Sequence, residues 1–214
     1  MDRRLRQLPL RAYSALPFLP SERRYNLTVS SERKFIWFRV AKVGTRTILN
    51  ALKAANVPLD LAEESRLHYF PKLTRNHFKF AFVRNPWDRL VSGWMNKVVE
   101  SNFFGFDEAE LVQMRKFENF IDYVAGLDME KCDRHVALQS SLIDLNNVDF
   151  VGRMERFDAD FGVVLDRIGV SLPEIDRKNA SVERTSYRDY YTVETARRAR
   201  DIYARDISVF GYDF

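Results

Sequence analysis

Phe78-Lys79-Phe80-Ala81-Phe82-Val83-Arg84-Asn85-Pro86-Trp87-Asp88-Arg89-Leu90-Val91-Ser92 decides the fold. Phe78 to Val83 is almost unbrokenly apolar, the signature of a strand buried on both faces. Arg84 stands at its end. Asn85 followed by Pro86 reads as an N-cap with proline at the first helical position, opening a helix to about Val99. Ser92 lies two turns into that helix. An earlier segment, Phe35-Ile36-Trp37-Phe38-Arg39-Val40-Ala41-Lys42-Val43-Gly44-Thr45-Arg46-Thr47, repeats the layout. There the strand spans residues 35–40, and the helix after the loop runs from Thr45 to Ala55, ending before Pro58.

Working outward, a short apolar piece at Leu67–Phe70 and a run at Val148–Gly152 read as further strands. Phe117, Phe120, Ile121 and Val124 fall at helical spacing and stop at Gly126. Phe161, Val164, Leu165 and Ile168 do the same between Asp158, read as an N-cap, and Gly169. Thr192 to Asp206 reads as one last helix before the tail Phe210-Gly211-Tyr212-Asp213-Phe214. Strands alternating with helices predict an α/β fold: a parallel sheet flanked by helices on both faces. Ligands on such sheets bind at the carboxyl ends of strands, where both loops sit.

The chain has 214 residues, 46% of them hydrophobic and 14% aromatic, enough for a substantial core. Its net charge of +4 is uneven: residues 1–34 hold eight Lys or Arg against three Asp or Glu. Residues 1–33, with Pro9, Pro17 and Pro20, therefore read as a basic extended arm, and 34–214 as a single domain. The arm reads first as a solvated tail or lid. Contact with anionic glycan, a membrane surface or nucleic acid is the alternative. The body carries no excess charge, which excludes a nucleic-acid surface by bulk charge. No run approaches the ~20 apolar residues of a membrane span, and arginines and prolines interrupt any signal-peptide hydrophobic region. A lone cysteine, Cys132, excludes an internal disulfide and a cysteine metal cluster, making a reducing cytoplasm the expected compartment.

In the first loop, Gly44 lets backbone approach an anion, the amides opening the next helix point at the same place, and the helix dipole favours negative charge there. Lys42 adds a mobile point charge, and Thr45 and Thr47 add hydroxyls. A Walker A loop places its lysine after the last glycine. Here Lys42 precedes Gly44, which argues against an ordinary ATPase or GTPase. In the second motif, the Arg84 guanidinium suits a two-pronged grip on phosphate, with Ser92 as a further donor.

The two motifs together resemble the nucleotide-binding signatures of sulfotransferases that use 3′-phosphoadenosine 5′-phosphosulfate (PAPS), nearest the carbohydrate branch of chondroitin, HNK-1 and uronyl 2-O-sulfotransferases. Arg39 to Thr45 matches the 5′-phosphosulfate loop of that family, and Val83 to Ser92 its 3′-phosphate site. Asp133-x-His135, Phe150 to Glu155 and the closing Phe-Gly-Tyr extend the resemblance over about residues 35–214. It implies a P-loop-like sulfotransferase fold, with PAPS as donor, 3′-phosphoadenosine 5′-phosphate (PAP) as product and a carbohydrate hydroxyl as acceptor. Lys42, Gly44, Thr45, Arg46 and Thr47 would hold the 5′ end, and Arg84 and Ser92 the 3′-phosphate. Lys42 would also stabilise charge on the leaving oxygen. No metal is required in principle.

The acceptor hydroxyl needs a base. His68 occupies an interval comparable to that of a catalytic histidine in the 2-O-sulfotransferases and is the first candidate. His135, in the Asp-x-His element, and the pair Glu63 and Glu64 are alternatives. The Glu63–Glu64 pair otherwise reads as a solvated helix end, His77 as a strand-edge residue, and Glu155 as ordering Arg153 or a turn. Asn179-Ala180-Ser181 falls where family members close over the nucleotide. That triplet and Asn26-Leu27-Thr28 also match the glycosylation sequon. A small-molecule kinase and a catalytically inactive nucleotide- or glycan-binding module are the rival functions.

Overall fold

Five strands form one sheet in the order β3-β1-β2-β4-β5: β1 (Tyr25–Ser30), β2 (Phe35–Phe38), β3 (Leu61–Leu67), β4 (Phe78–Val83) and β5 (Phe150–Arg153). The structure is a computed structural model and describes residues 20–171 and 185–214. β2, β4 and β5 pair in parallel, with Phe38 opposite Ala81 and Phe80 opposite Phe150. β1 runs antiparallel to both β2 and β3. The sheet is therefore mixed, and the all-parallel expectation holds only for its β2–β4–β5 side.

Strand β1 corrects the arm boundary at residue 33, because Tyr25–Ser30 is an inner strand. Its sequence hides this by alternating Leu27 and Val29 with Asn26, Thr28 and Ser30. Those polar groups are used locally: Asn26 accepts from the Arg66 amide at 3.2 Å, Thr28 donates to the Ala62 carbonyl, and Ser30 accepts from the Arg33 amide at 3.2 Å. A buried, hydrogen-bonded Asn26 beside a fully buried Thr28 is no glycan acceptor. The second such triplet, at 179–181, lies outside the described residues, as do residues 1–19 of the arm.

Strand β3 begins six residues before the apolar piece at Leu67, and Glu63 and Glu64 stand in it, not at a helix end. Only Leu61 and Leu67 of β3 are buried. Its register with β1 is irregular, so it carries little of the alternation that reveals a strand.

The chain forms two compact units, each described by itself: residues 1–83 with 142–175, and 84–141 with 176–214. The first holds the whole sheet, helix α1 (Thr45–Ala54) and helix α5 (Phe157–Ile168). Its centre is aromatic. Trp37 and Phe80 stack at 5.9 Å, and Phe80 meets Phe35, Phe78 and Phe82. Each such side chain contributes about 1.5–3 kcal/mol by burial. Asp158 lies inside the first turn of α5, whose N-cap is Arg156.

The second unit holds α2 (Pro86–Trp94), α3 (Glu108–Met114), α4 (Phe117–Ala125), α6 (Val193–Ile202) and α7 (Ala204–Phe210). The predicted helix from Pro86 to Val99 is α-helical only to Trp94, and Met95–Val99 forms a π-helical turn. Phe117, Phe120, Ile121 and Val124 bury the expected face of α4. The last helix is two, interrupted at Tyr203, whose hydroxyl donates to the Val136 carbonyl at 2.8 Å. Helix α3 buries no residue and so has no apolar stripe to announce it.

Candidate functional site

In the first unit, β2 leads through residues 39–44 into α1. Gly44 caps α1 in the left-handed region, at φ 69° and ψ 22°, and supplies no side-chain cap. Lys42 is also left-handed, at φ 68°. It is one of four such non-glycine residues among those described, and the one placed two residues before a helix N-terminus. That backbone costs about 1–2 kcal/mol for a residue with a Cβ. Strain of this kind persists where surroundings enforce it, often at ligand-binding loops.

No acidic residue lies in the first turn of α1. The amides there keep their positive end, as an anion site requires. Arg46 and Thr47 are exposed on the first turn, and Lys42, Gly44 and Thr45 are half-buried. The Thr45 hydroxyl donates to the Val40 carbonyl at 3.0 Å, closing the loop on itself. Its hydrogen is therefore committed to the loop, and Thr45 offers an anion its amide. Arg39, at the head of the loop, is buried and reaches the Glu64 carbonyl of β3 at 2.6 Å.

His68 follows β3. Its Nδ1 lies 2.7 Å from the Ser21 carbonyl. A carbonyl only accepts, so Nδ1 carries the hydrogen, and in the neutral ring Nε2 is left with its lone pair. The imidazole is thus held in the tautomer a general base needs. Ser21 is itself paired with Tyr69 through both backbone and side chain. Tyr69 is buried and donates to Asp144, and burial followed by that bond pushes its phenol far up.

In the second unit, Arg84 stands just before the Asn85 cap of α2, and Asp88 and Ser92 follow at intervals of four on one face of that helix. Arg84 Nε and Nη2 both reach Asp88 Oδ2 at 2.6 Å. The Arg84 amide donates to Gln139 Oε1 at 3.0 Å, and Gln139 Nε2 donates back to the Arg84 carbonyl at 2.9 Å. Gln139 is fixed in turn, since its amide and that of Ser140 donate to the fully buried Asp206 at 2.7 and 2.9 Å. Ser92 is half-buried on the same row. Asn85 caps α2 as expected and also donates to the Asp213 carbonyl at 2.8 Å.

Sequence reasoning missed this support. Asp88 had a signal, its spacing of four from Arg84. Gln139 and Asp206 had none, being 55 residues from Arg84 and 67 from Gln139 respectively. Arg89 is fully buried, donating to the Ala137 and Arg134 carbonyls at 2.8 Å each. Burial pushes its guanidinium below the ordinary arginine value.

His135 accompanies these residues in the second unit. Its Nδ1 lies 2.6 Å from Asp133 Oδ1, and burial pulls its pKa down despite that carboxylate. His77, in the first unit, is likewise lowered by burial and then by the Lys79 charge. Glu63 and Glu155 are exposed. Among the described residues no group of three or more His, Cys, Asp or Glu is placed to hold a metal ion. No helix there is long and apolar enough to cross a membrane.

A family model described as Sulfotransferase family matches residues 25–213. The chain belongs to the sulfotransferase family. This sulfotransferase is 25% identical to carbohydrate sulfotransferase 14 of Danio rerio over 247 residues, covering 97% of the chain and 67% of the relative. It is 25% identical to carbohydrate sulfotransferase 10 of Danio rerio over 256 residues (88% and 70% covered). Against carbohydrate sulfotransferase 10 of Mus musculus the identity is again 25%, over 235 residues (86% and 66%). The chain thus spans about two thirds of the length of these relatives. No solved structure matches it. A mixed five-stranded sheet with helices agrees with the family, and neither the kinase nor the inactive-module reading is favoured.

Proposed function

We propose that this enzyme moves a sulfuryl group from PAPS to a hydroxyl on a carbohydrate, using a P-loop-like arrangement at the end of β2. The observation that carries this reading is the start of α1: left-handed Lys42 and Gly44, no side-chain cap and no acid in the first turn. Such a helix start suits a phosphosulfate, and the relatives' names supply the acceptor class.

The amides of Gly44, Thr45, Arg46 and Thr47, with the Lys42 ammonium, would hold the 5′ phosphosulfate. Arg84 and Ser92 would hold the 3′-phosphate, a group ATP lacks. PAPS supplies the activated S–O bond. Lys42 would set its charge beside the oxygen on which negative charge collects as that bond opens. His68 would take the acceptor proton on Nε2, oriented by its Nδ1 bond to Ser21. Positioning and charge neutralisation carry chemistry of this kind.

Calorimetry with PAP tests the donor: wild type binds, and Arg84→Ala binds far more weakly. Desulfation of PAPS tests the chemistry, with turnover expected from wild type and lost in Lys42→Ala. Failure of PAP to bind wild type, or equal binding by Arg84→Ala, overturns the donor site.

A further inference from the structure

Arg84 and Ser92 stand on opposite sides of a joint. Arg84 precedes α2, with its amide and carbonyl tied to Gln139 at 3.0 and 2.9 Å. Ser92 lies two turns into the helix. Between them the chain turns from extended to helical at Asn85, which sits at φ −46° and ψ 124° and is confined to extended backbone by Pro86. In the donor reading one phosphate meets both Arg84 and Ser92, so whatever sets the angle at Asn85 sets that grip.

Asn85 is tied at both ends of its side-chain amide. Oδ1 accepts from the Trp87 and Asp88 amides at 3.0 and 3.5 Å, capping α2. Nδ2 donates to the Asp213 carbonyl at 2.8 Å and meets the Tyr187 hydroxyl at 3.4 Å. The segment 211–214, which supplies that carbonyl, is seated by its own bonds. Gly211 ends α7 in the left-handed region, at φ 61° and ψ 53°, and the buried Tyr212 returns its amide to the Ile207 carbonyl at 3.2 Å.

Phe214 then lies against the first turn of α2. Its ring meets Trp87 at 5.4 Å, Tyr191 at 5.5 Å and Tyr187 at 5.9 Å, each edge to face. Trp87 is anchored besides: its Nε1 donates to the Ala196 carbonyl at 2.9 Å, and its carbonyl accepts from the Tyr191 hydroxyl at 3.0 Å. Phe214 nevertheless stays 42% exposed, against 3% for Trp87. A ring so exposed adds little buried area. What it adds is location, because edge-to-face contacts favour one arrangement of the rings.

We infer that Asp213 and Phe214 form a wedge that sets the joint at Asn85, with Phe214 a positioning residue for the grip of Arg84 and Ser92 on the 3′-phosphate. The Asp213 carbonyl holds the Asn85 amide and the Phe214 ring holds Trp87, so one short segment fixes the joint and the helix turn after it. Removing the ring leaves α2 capped but lets its first turn shift relative to Arg84. A site whose donors lose their relative placement loses affinity for the group they share. The loss therefore falls on ligands that carry a 3′-phosphate. This inference rests on the donor reading above.

The test is calorimetry of PAP and of adenosine 5′-phosphate, which lacks the 3′-phosphate, with thermal unfolding as the check on folding. The proteins are wild type, Phe214→Ala, Phe214→Tyr, Ser92→Ala and the double variant of Phe214→Ala with Ser92→Ala. Phe214→Ala should weaken PAP about tenfold and adenosine 5′-phosphate by about twofold at most. Phe214→Tyr keeps the ring and should keep PAP affinity. With Ser92→Ala already in place, Phe214→Ala should cost PAP little more, because the separation it sets no longer serves two donors. Undiminished PAP affinity in Phe214→Ala, equal losses for the two nucleotides, or the same cost with and without Ser92 overturns the wedge. Unfolding of Phe214→Ala at the assay temperature makes the ring a core residue and overturns it equally. Absence of PAP binding by wild type overturns the donor reading, and the wedge with it.

Discussion

The loop between β2 and α1 and the row along α2 each follow a buried parallel strand and present cations, yet they are built in opposite ways. In the loop the backbone is the device. Lys42 and Gly44 are left-handed, the helix start is uncapped by any side chain, and Arg46 and Thr47 are exposed. Along α2 the device is a lattice of side chains: Arg84 on Asp88 and Gln139, and Gln139 on Asp206. A backbone cradle stores its strain locally, in the left-handed φ of Lys42 and Gly44. A side-chain lattice makes the cation part of the fold. Ligand binding and stability should therefore separate in the first region and travel together in the second.

The largest expected break in that comparison is Arg84→Ala. It removes both Arg84 bonds to Asp88, whose side chain is 22% exposed. Loss of hydrogen bonds to a charged group costs about 1.5–3 kcal/mol. Denaturant unfolding should show that loss alongside the loss of PAP binding. Full stability in Arg84→Ala would mean the lattice does not hold the fold.

Gly44→Ala comes next. A Cβ there would sit 2.7 Å from the Met154 Cε and 3.1 Å from its Sδ, and would impose left-handed strain besides. The strain alone costs about 1–2 kcal/mol. The methionine tip can move, so the double variant with Met154→Ala should recover only the clash. Complete recovery would show that the φ of 69° is not a constraint.

These two regions also show what the sequence makes legible. The buried strands β2 and β4, the Asn85 cap and the α4 stripe follow from local pattern, because each is a short-range consequence of burial or capping. The placement of Lys42 to Thr47 around one helix start was equally local. Strand β1 was hidden because Asn26, Thr28 and Ser30 satisfy their side chains against neighbouring backbone, which lets polar residues occupy a buried strand. Strand β3 was hidden because an irregular edge with two buried residues has no period. The support behind Arg84 was hidden because Gln139 and Asp206 come from distant turns, and no periodicity links such partners. The backbone layout of one loop could be read in advance, whereas a lattice set by packing could not.

A smaller effect follows from pH. His135 in the second unit and His77 in the first are both held below the ordinary histidine value of 6.5, chiefly by burial. A depressed histidine binds its proton more readily unfolded, so its contribution is complete above about pH 6.5 and is lost as pH falls below that. Thermal unfolding between pH 7 and 5 should show declining stability, and His135→Asn and His77→Asn should each flatten part of the slope. A slope unchanged in both variants would assign the loss to other groups.

The smallest effect discriminates most finely. Lys42→Gly relieves a left-handed residue, which favours the folded state, and adds chain freedom to the unfolded one, which opposes it. The two nearly cancel, and the balance should be a gain of about 0.5 kcal/mol at most. Turnover should nevertheless collapse, since the ammonium that would meet the leaving oxygen is gone. In the α2 row no substitution of the cation can behave this way, because Arg84 is bonded into the fold. If Lys42→Gly unfolds as readily as Arg84→Ala, then the lysine is also a structural member, and the contrast between a backbone cradle and a side-chain lattice falls.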